Sequence, residues 1–162
     1  MLLEGHGERS PNGEANRDLS LWVKQLEDKG FKTRGINLAK DAVIPDNTTV
    51  LVLSAPQVDL LPGEVKAIQD YLSRGGNLLW LGDPGPLHGL QPVAEQLGVK
   101  FLPGIVVDLT AQSLGIRSAA IAAVTSYGPH PATRDFNLLT LFPLTADRPA
   151  GARRPAGHAD VR

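Results

Sequence analysis

Two five-residue runs, Thr49-Val50-Leu51-Val52-Leu53 and Asn77-Leu78-Leu79-Trp80-Leu81, are apolar on consecutive positions, and a stretch with helical spacing separates them. A β-prone run without polar alternation reads as a strand covered on both faces. Two such strands joined through a helix are parallel neighbours, because parallel pairing needs a crossover of about a dozen residues or more and that crossover is right-handed. Both strands are therefore expected to be central. In the intervening stretch Val65, Ile68, Tyr71 and Leu72 fall at i, i+3, i+6 and i+7, which predicts a helix over 64–74. Pro62 suits its first turn and Gly75-Gly76 its end.

The same alternation extends to either side. Leu19, Leu21, Trp22, Val23 and Leu26 predict a first helix over 15–29 that stops at Gly30, with Asn16 or Asp18 as its N-cap. Residues 31–38 follow as a weak strand in which Phe31, Thr33 and Ile36 are interrupted by Lys32 and Arg34, the pattern of a sheet edge. A short helix over 90–97 ends at Gly98, and 99–102 supplies a further strand. Met1-Leu2-Leu3 reads as the C-terminal tip of a first strand, with Gly5-His6-Gly7 as the turn beyond it. A central strand reduced to three residues implies that the chain begins inside the fold or lacks upstream residues. The expected architecture is α/β, a three-layer flavodoxin-like sandwich on a mostly parallel central sheet.

Beyond Gly104 the pattern is thinner. Ile105-Val106-Val107 is strand-like, 108–117 irregular, 119–124 either helix or strand, Pro129-His130-Pro131 an extended turn, and 138–142 a last strand. A single domain over 1–145 is expected. Val161 alone represents the branched aliphatics in the stretch from 146 to 162, which is otherwise rich in Ala, Gly, Pro and Arg, so this tail is expected to be disordered or poorly packed.

Composition removes several function classes. Without cysteine there is no disulfide frame, thiolate-ligated metal or cysteine nucleophile. The 16 Lys and Arg against 17 Asp and Glu, net charge −1, give no broad positive field for nucleic acid. No apolar run approaches the ~20 residues that span a bilayer, and the first residues lack the basic start and apolar core of a signal peptide. A signal for export would lie outside this segment.

Ligands of open α/β sheets bind beyond the carboxyl ends of the strands, which selects three turns: 4–16, 54–59 and 82–89. In the first, His6 and Glu8 could ligate a metal or act as a base and its orienter. Equally, they could cap neighbouring helix ends while Arg9 pairs with Asp18 or Glu14. In the third, Asp83 and His88 could join His6, Glu8 and His130 in a His/carboxylate metal set. The alternative is a stiff Gly-Pro turn in which Asp83 accepts its own backbone N–H groups; no tight ligand spacing is present. Ser54 follows a central strand, yet Val52-Leu53-Ser54-Ala55-Pro56 is not the G-x-S-x-G of a nucleophile elbow. No glycine pattern for a nucleotide opens a helix, and no cofactor is expected. Tyr127, His130, Thr133, Arg134 and Asp135 form a last polar cluster, where Arg134 beside Asp135 reads as a surface pair rather than an anion clamp.

The runs 3–9 (Leu3 to Arg9, containing Gly5-His6-Gly7-Glu8), 16–20, 58–64 and 75–84 (Gly75-Gly76-Asn77-Leu78-Leu79-Trp80-Leu81, then Asp83-Pro84) resemble the extracytoplasmic domain of the GldG-type auxiliary components of ABC-2-type transporters, a gliding-motility-associated family. The resemblance covers about residues 3–142. It implies a class I glutamine-amidotransferase-like sandwich without the catalytic cysteine, tethered to the membrane and assisting an ABC permease. It carries over no catalytic residue; the turn 5–8 and Asp83 are family-characteristic positions without an assigned role.

Two functions from different classes follow. One is a non-catalytic extracytoplasmic domain that recognises a ligand or partner subunit, its candidate cleft formed by His6, Glu8, Arg9, Asn16, Asp83 and His88. The other is a hydrolase or amidotransferase-like enzyme, which requires His6, Glu8, Asp83 and His88 to converge. Self-association through the edge strand 31–36 is a further possibility.

Overall fold

The computed structural model describes residues 1–144; the tail expected over 146–162 lies outside the described residues. The described residues divide into two units, one of 1–82 with 86–99 and another of 83–85 with 100–144. The first contains, in order, β1 (Leu2–Leu3), α1 (Ser20–Asp28), β2 (Gly35–Ile36), β3 (Val50–Ser54), α2 (Pro62–Ser73), β4 (Asn77–Leu81) and α3 (Gln91–Gln96). Its strands lie in the order β2-β1-β3-β4, every neighbouring pair parallel.

Adjacent residues of the two central strands face opposite layers. Leu2 and Val52 pack with Val23, Leu19 and Trp22 of the α1 region. Leu3, Leu51 and Leu53 pack on the other side with Val65, Ile68 and Tyr71 of α2 and Val93 of α3. Helices thus cover both faces, and the three-layer α/β sandwich holds. The larger core is on the α2 side, where Leu51, Leu53, Ile68 and Val93 are completely inaccessible.

β4 departs from expectation. Among the described residues it is a margin of the sheet, not a central strand: Leu78 and Trp80 pack against the main core, whereas Leu79 and Leu81 remain 37% and 38% exposed. Consecutive apolar residues suit a doubly covered strand, but the covering layer has to exist, and here one face has none among the described residues. The first helix starts at Ser20 rather than at residue 15, because the Asp18 carboxylate closes a turn by accepting the N–H groups of Ala15 (2.8 Å) and Ser10 (3.1 Å). Leu19 occupies the N-cap, so neither Asn16 nor Asp18 does. The weak strand shrinks to β2, at the edge where its charges place it, and 99–102 forms no strand.

Gly76 shows how closely α2 and β4 are joined. The Tyr71 hydroxyl lies 3.2 Å from Thr48 O and 3.0 Å from Asn77 O, acceptors for its single proton, and it accepts the Asn77 N–H at 3.1 Å. A Cβ on Gly76 would fall 2.3 Å from Cζ of that ring. Gly76→Ala must displace a buried aromatic ring and is expected to lower the unfolding free energy by about 1–3 kcal/mol. Urea denaturation together with the near-ultraviolet circular dichroism of the displaced tyrosine checks this; an unchanged midpoint and spectrum contradict it.

The second unit contains a 3₁₀ turn (Leu109–Leu114), β5 (Ile121–Val124), a second 3₁₀ turn (Pro131–Thr133) and β6 (Thr140–Pro143). β5 and β6 are antiparallel, Ile121 opposite Pro143 and Val124 opposite Thr140. The ambiguous stretch 119–124 is thus resolved as strand, while 105–107 is not one. Asp108 caps the first 3₁₀ turn, accepting from the Thr110 hydroxyl (2.6 Å), Ala123 N (3.0 Å) and Thr110 N (2.9 Å). The Thr110 hydroxyl, followed by the Ala123 N–H, holds its carboxyl below the ordinary aspartate value.

Candidate functional site

The carboxyl ends of β1 and β3 lie side by side, and the chain leaves them toward opposite faces: into α1 after β1 and into α2 after β3. This is the switch point at which open α/β sheets bind ligands. Gly5 and Gly7 allow the turn there, with φ of +119° and +75°. A Cβ on Gly5 would meet Asn37 Nδ2 at 2.7 Å, and one on Gly7 would meet Gln57 Cβ at 3.0 Å. The His6 carbonyl accepts from Gln57 N (2.7 Å) and Val58 N (3.2 Å), which binds the first and second candidate turns together.

His6 is turned inward between two carboxylates. Its Nδ1 lies 3.2 Å from Glu8 Oε1 and its Nε2 3.0 Å from Glu64 Oε2. The side chains of His6, Glu8 and Glu64 are 8%, 2% and 4% exposed. Each carboxylate is also tied to backbone: Glu8 Oε2 accepts His6 N–H and Glu64 Oε2 accepts Leu61 N–H, both at 2.7 Å. Leu61 is the N-cap of α2 and Glu64 its third residue, so this contact is the carboxylate half of a capping box. A neutral imidazole donates at one nitrogen only. Hydrogen bonds at both therefore require either an imidazolium or a protonated carboxyl partner. Glu64 Oε1 is buried and has no partner among the described residues.

Of the expected set, the structure brings His6 and Glu8 into direct contact. The third member of their cluster, Glu64, lies in the first turn of α2, where helical spacing alone predicts no more than a helix start. His88 is held elsewhere, its Nδ1 3.0 Å from Asp59 Oδ1, while its carbonyl accepts Leu60 N–H. Asp83 belongs to the second unit. Asn16 is exposed in the turn before α1. Arg9 donates its backbone N–H to Ser54 O at 3.1 Å, and with Glu4, Glu8, Ser10 and Asn12 it lines an open cavity of about 350 Å³ over the turn. The capping role considered for His6 and Glu8 falls to Glu64, and Asp18 closes the turn before α1.

Groups able to react are sparse here. Ser54 is 1% exposed, with Oγ donating to Arg9 O at 3.4 Å. The strained position at the end of β3 is the next residue, Ala55, with φ of +49°. A nucleophile elbow places its serine or cysteine at such a sharp, strained strand exit; in this chain a methyl group occupies it. Among the described residues no group of three His, Asp or Glu is arranged to hold a metal ion, and both ring nitrogens of His6 are already engaged.

Comparison with known families matches residues 1–144 to the family ABC_transp_aux, described as an ABC-type uncharacterized transport system. No curated protein matches the sequence. A solved structure titled "mmIFT52 N-terminal domain" is similar in fold, with a TM-score of 0.64 at 12% identity over 90% of this chain. The chain spans 66% of that domain's length.

Proposed function

The chain belongs to the ABC-type transport auxiliary family, and we propose that within it this is a GldG-type, non-catalytic domain that recognises a ligand or permease subunit at the extracytoplasmic face of the membrane. Ala55 is the observation that carries the non-catalytic part. The backbone strain suited to presenting a nucleophile is retained at the end of β3, but the residue there has nothing to attack with. The imidazole that would serve as a base is consumed by two carboxylates in the interior. What the strand ends offer outward is the polar rim from Glu4 to Asn12, including Arg9, over an open cavity, which is a surface for recognition. Among the described residues no helix is long and apolar enough to cross a membrane. β2 offers only two residues for edge pairing, which argues against self-association as the main role.

Purification of the tagged full-length protein from detergent-solubilised membranes of its host tests this reading. An ABC permease is expected to co-purify, and protease added outside spheroplasts is expected to cleave the domain. Absence of a permease overturns the partner assignment, and full protection from protease overturns the location.

A further inference from the structure

The loops of the second unit enclose an open cavity of about 580 Å³, bounded in part by Ser126, Tyr127, His130, Arg134, Phe136 and Asn137. Its volume lies within the ~300–1,000 Å³ range of small-molecule sites. Tyr127 and Phe136 form an edge-to-face pair, ring centroids 5.3 Å apart and planes at 80°, which gives the cavity an aromatic wall. Its charge is one-sided. Among the described residues Arg134 lines it and no carboxylate does.

Sequence adjacency suggested that Asp135 would neutralise Arg134, but among the described residues no ion pair joins them. Asp135 instead adopts the left-handed region, φ +63°, and it is absent from the lining while the residues on either side contribute to it. His130 adds a second donor. Its Nδ1 accepts the Ala132 N–H at 3.1 Å, which leaves Nε2 as the nitrogen that carries hydrogen.

From this arrangement we propose that the second unit carries a binding site for a small organic anion, a carboxylate attached to an apolar or aromatic body. The guanidinium and the imidazole N–H take the carboxylate, and the Tyr127–Phe136 wall takes the body. A guanidinium is suited to this through its paired donors, and Ser126 and Asn137 supply neutral hydrogen bonds at the rim. The site stands independently of the transport assignment, since it rests on the lining of the second unit alone.

The test is an amide NMR titration of the protein with phenylacetate and, separately, with 2-phenylethanol, its uncharged counterpart. Saturable shifts confined to about residues 125–137 are expected with phenylacetate, with affinity at least about tenfold weaker for 2-phenylethanol, the factor set by one charge-assisted hydrogen bond. Arg134→Gln is expected to remove that preference while leaving the amide dispersion of the unit intact. Equal affinity for the two probes, shifts elsewhere only, or no shifts at all overturns the proposal. The two-probe comparison on the unmodified protein decides it even if the variant fails to fold.

Discussion

His6→Ala is expected to destabilise the protein by about 3–5 kcal/mol, the effect of removing one partner from a buried charged cluster. The truncation would leave Glu8 and Glu64, with side chains 2% and 4% exposed, facing an emptied space without the imidazole between them. It would also disconnect the end of β1 from the start of α2, which the His6–Glu64 hydrogen bond joins across 58 positions of sequence. Urea denaturation followed through Trp22 and Trp80 measures the loss. Glu64→Gln in the His6→Ala background is expected to recover part of it, because a neutral amide replaces a buried carboxyl left without its imidazole partner while keeping an oxygen for Leu61 N–H. That non-additivity is the signature of a directly coupled pair. The experiment also separates a structural cluster from a catalytic one. Strain stored for function is relieved by truncation, so a catalytic His6 would be replaced with little loss of stability or with a gain. A loss below about 1 kcal/mol, the range of an exposed pair, would show that the cluster does not hold the fold together.

The parallel strand pair, α2 and its end at Gly75-Gly76 were legible because each rests on short-range pattern: apolar continuity, helical spacing and the glycines that end a helix. The turn from Glu4 to Arg9 was legible as a strand exit because its glycines follow an apolar run. Glu64 was not. Locally it is the third residue of a helix behind Pro62 and Gly63, and a capping role accounts for it fully. Only the topology, which places the start of α2 over the end of β1, brings its second contact to His6. One signal was available: Leu61 at the N-cap offers no side-chain acceptor, so a glutamate at the third position is left with half of a reciprocal pair. The two faces of β4 were illegible for another reason. Leu79 and Leu81 are as apolar as Leu51 and Leu53, and what distinguishes them is whether a layer covers them. His88 was not legible either: nothing in its own turn shows that it braces Asp59.

Leu53→Ala is expected to lower the unfolding free energy by about 2–5 kcal/mol, the range for truncating a fully buried leucine where the surroundings collapse only partly. Leu53 is completely inaccessible, and it packs in the same cluster as Val65, Ile68 and Tyr71 of α2. Its neighbour in sequence, Val52, points to the other face, where, among the described residues, Leu2 and Val23 are buried with it and Leu19 and Trp22 are partly covered. Val23→Ala on that side removes two methyl groups at about 0.8 kcal/mol each, so it is expected to lose about 1–2 kcal/mol. The ordering of the two variants tests the register of the sheet, because a slip of one residue along β3 would exchange the faces of Leu53 and Val52. Small domains hold only about 5–15 kcal/mol in total, so the leucine variant should show a clearly lower urea midpoint with an unchanged m-value. A greater loss for Val23→Ala than for Leu53→Ala would mean that the α1 layer, and not the α2 layer, carries the main core.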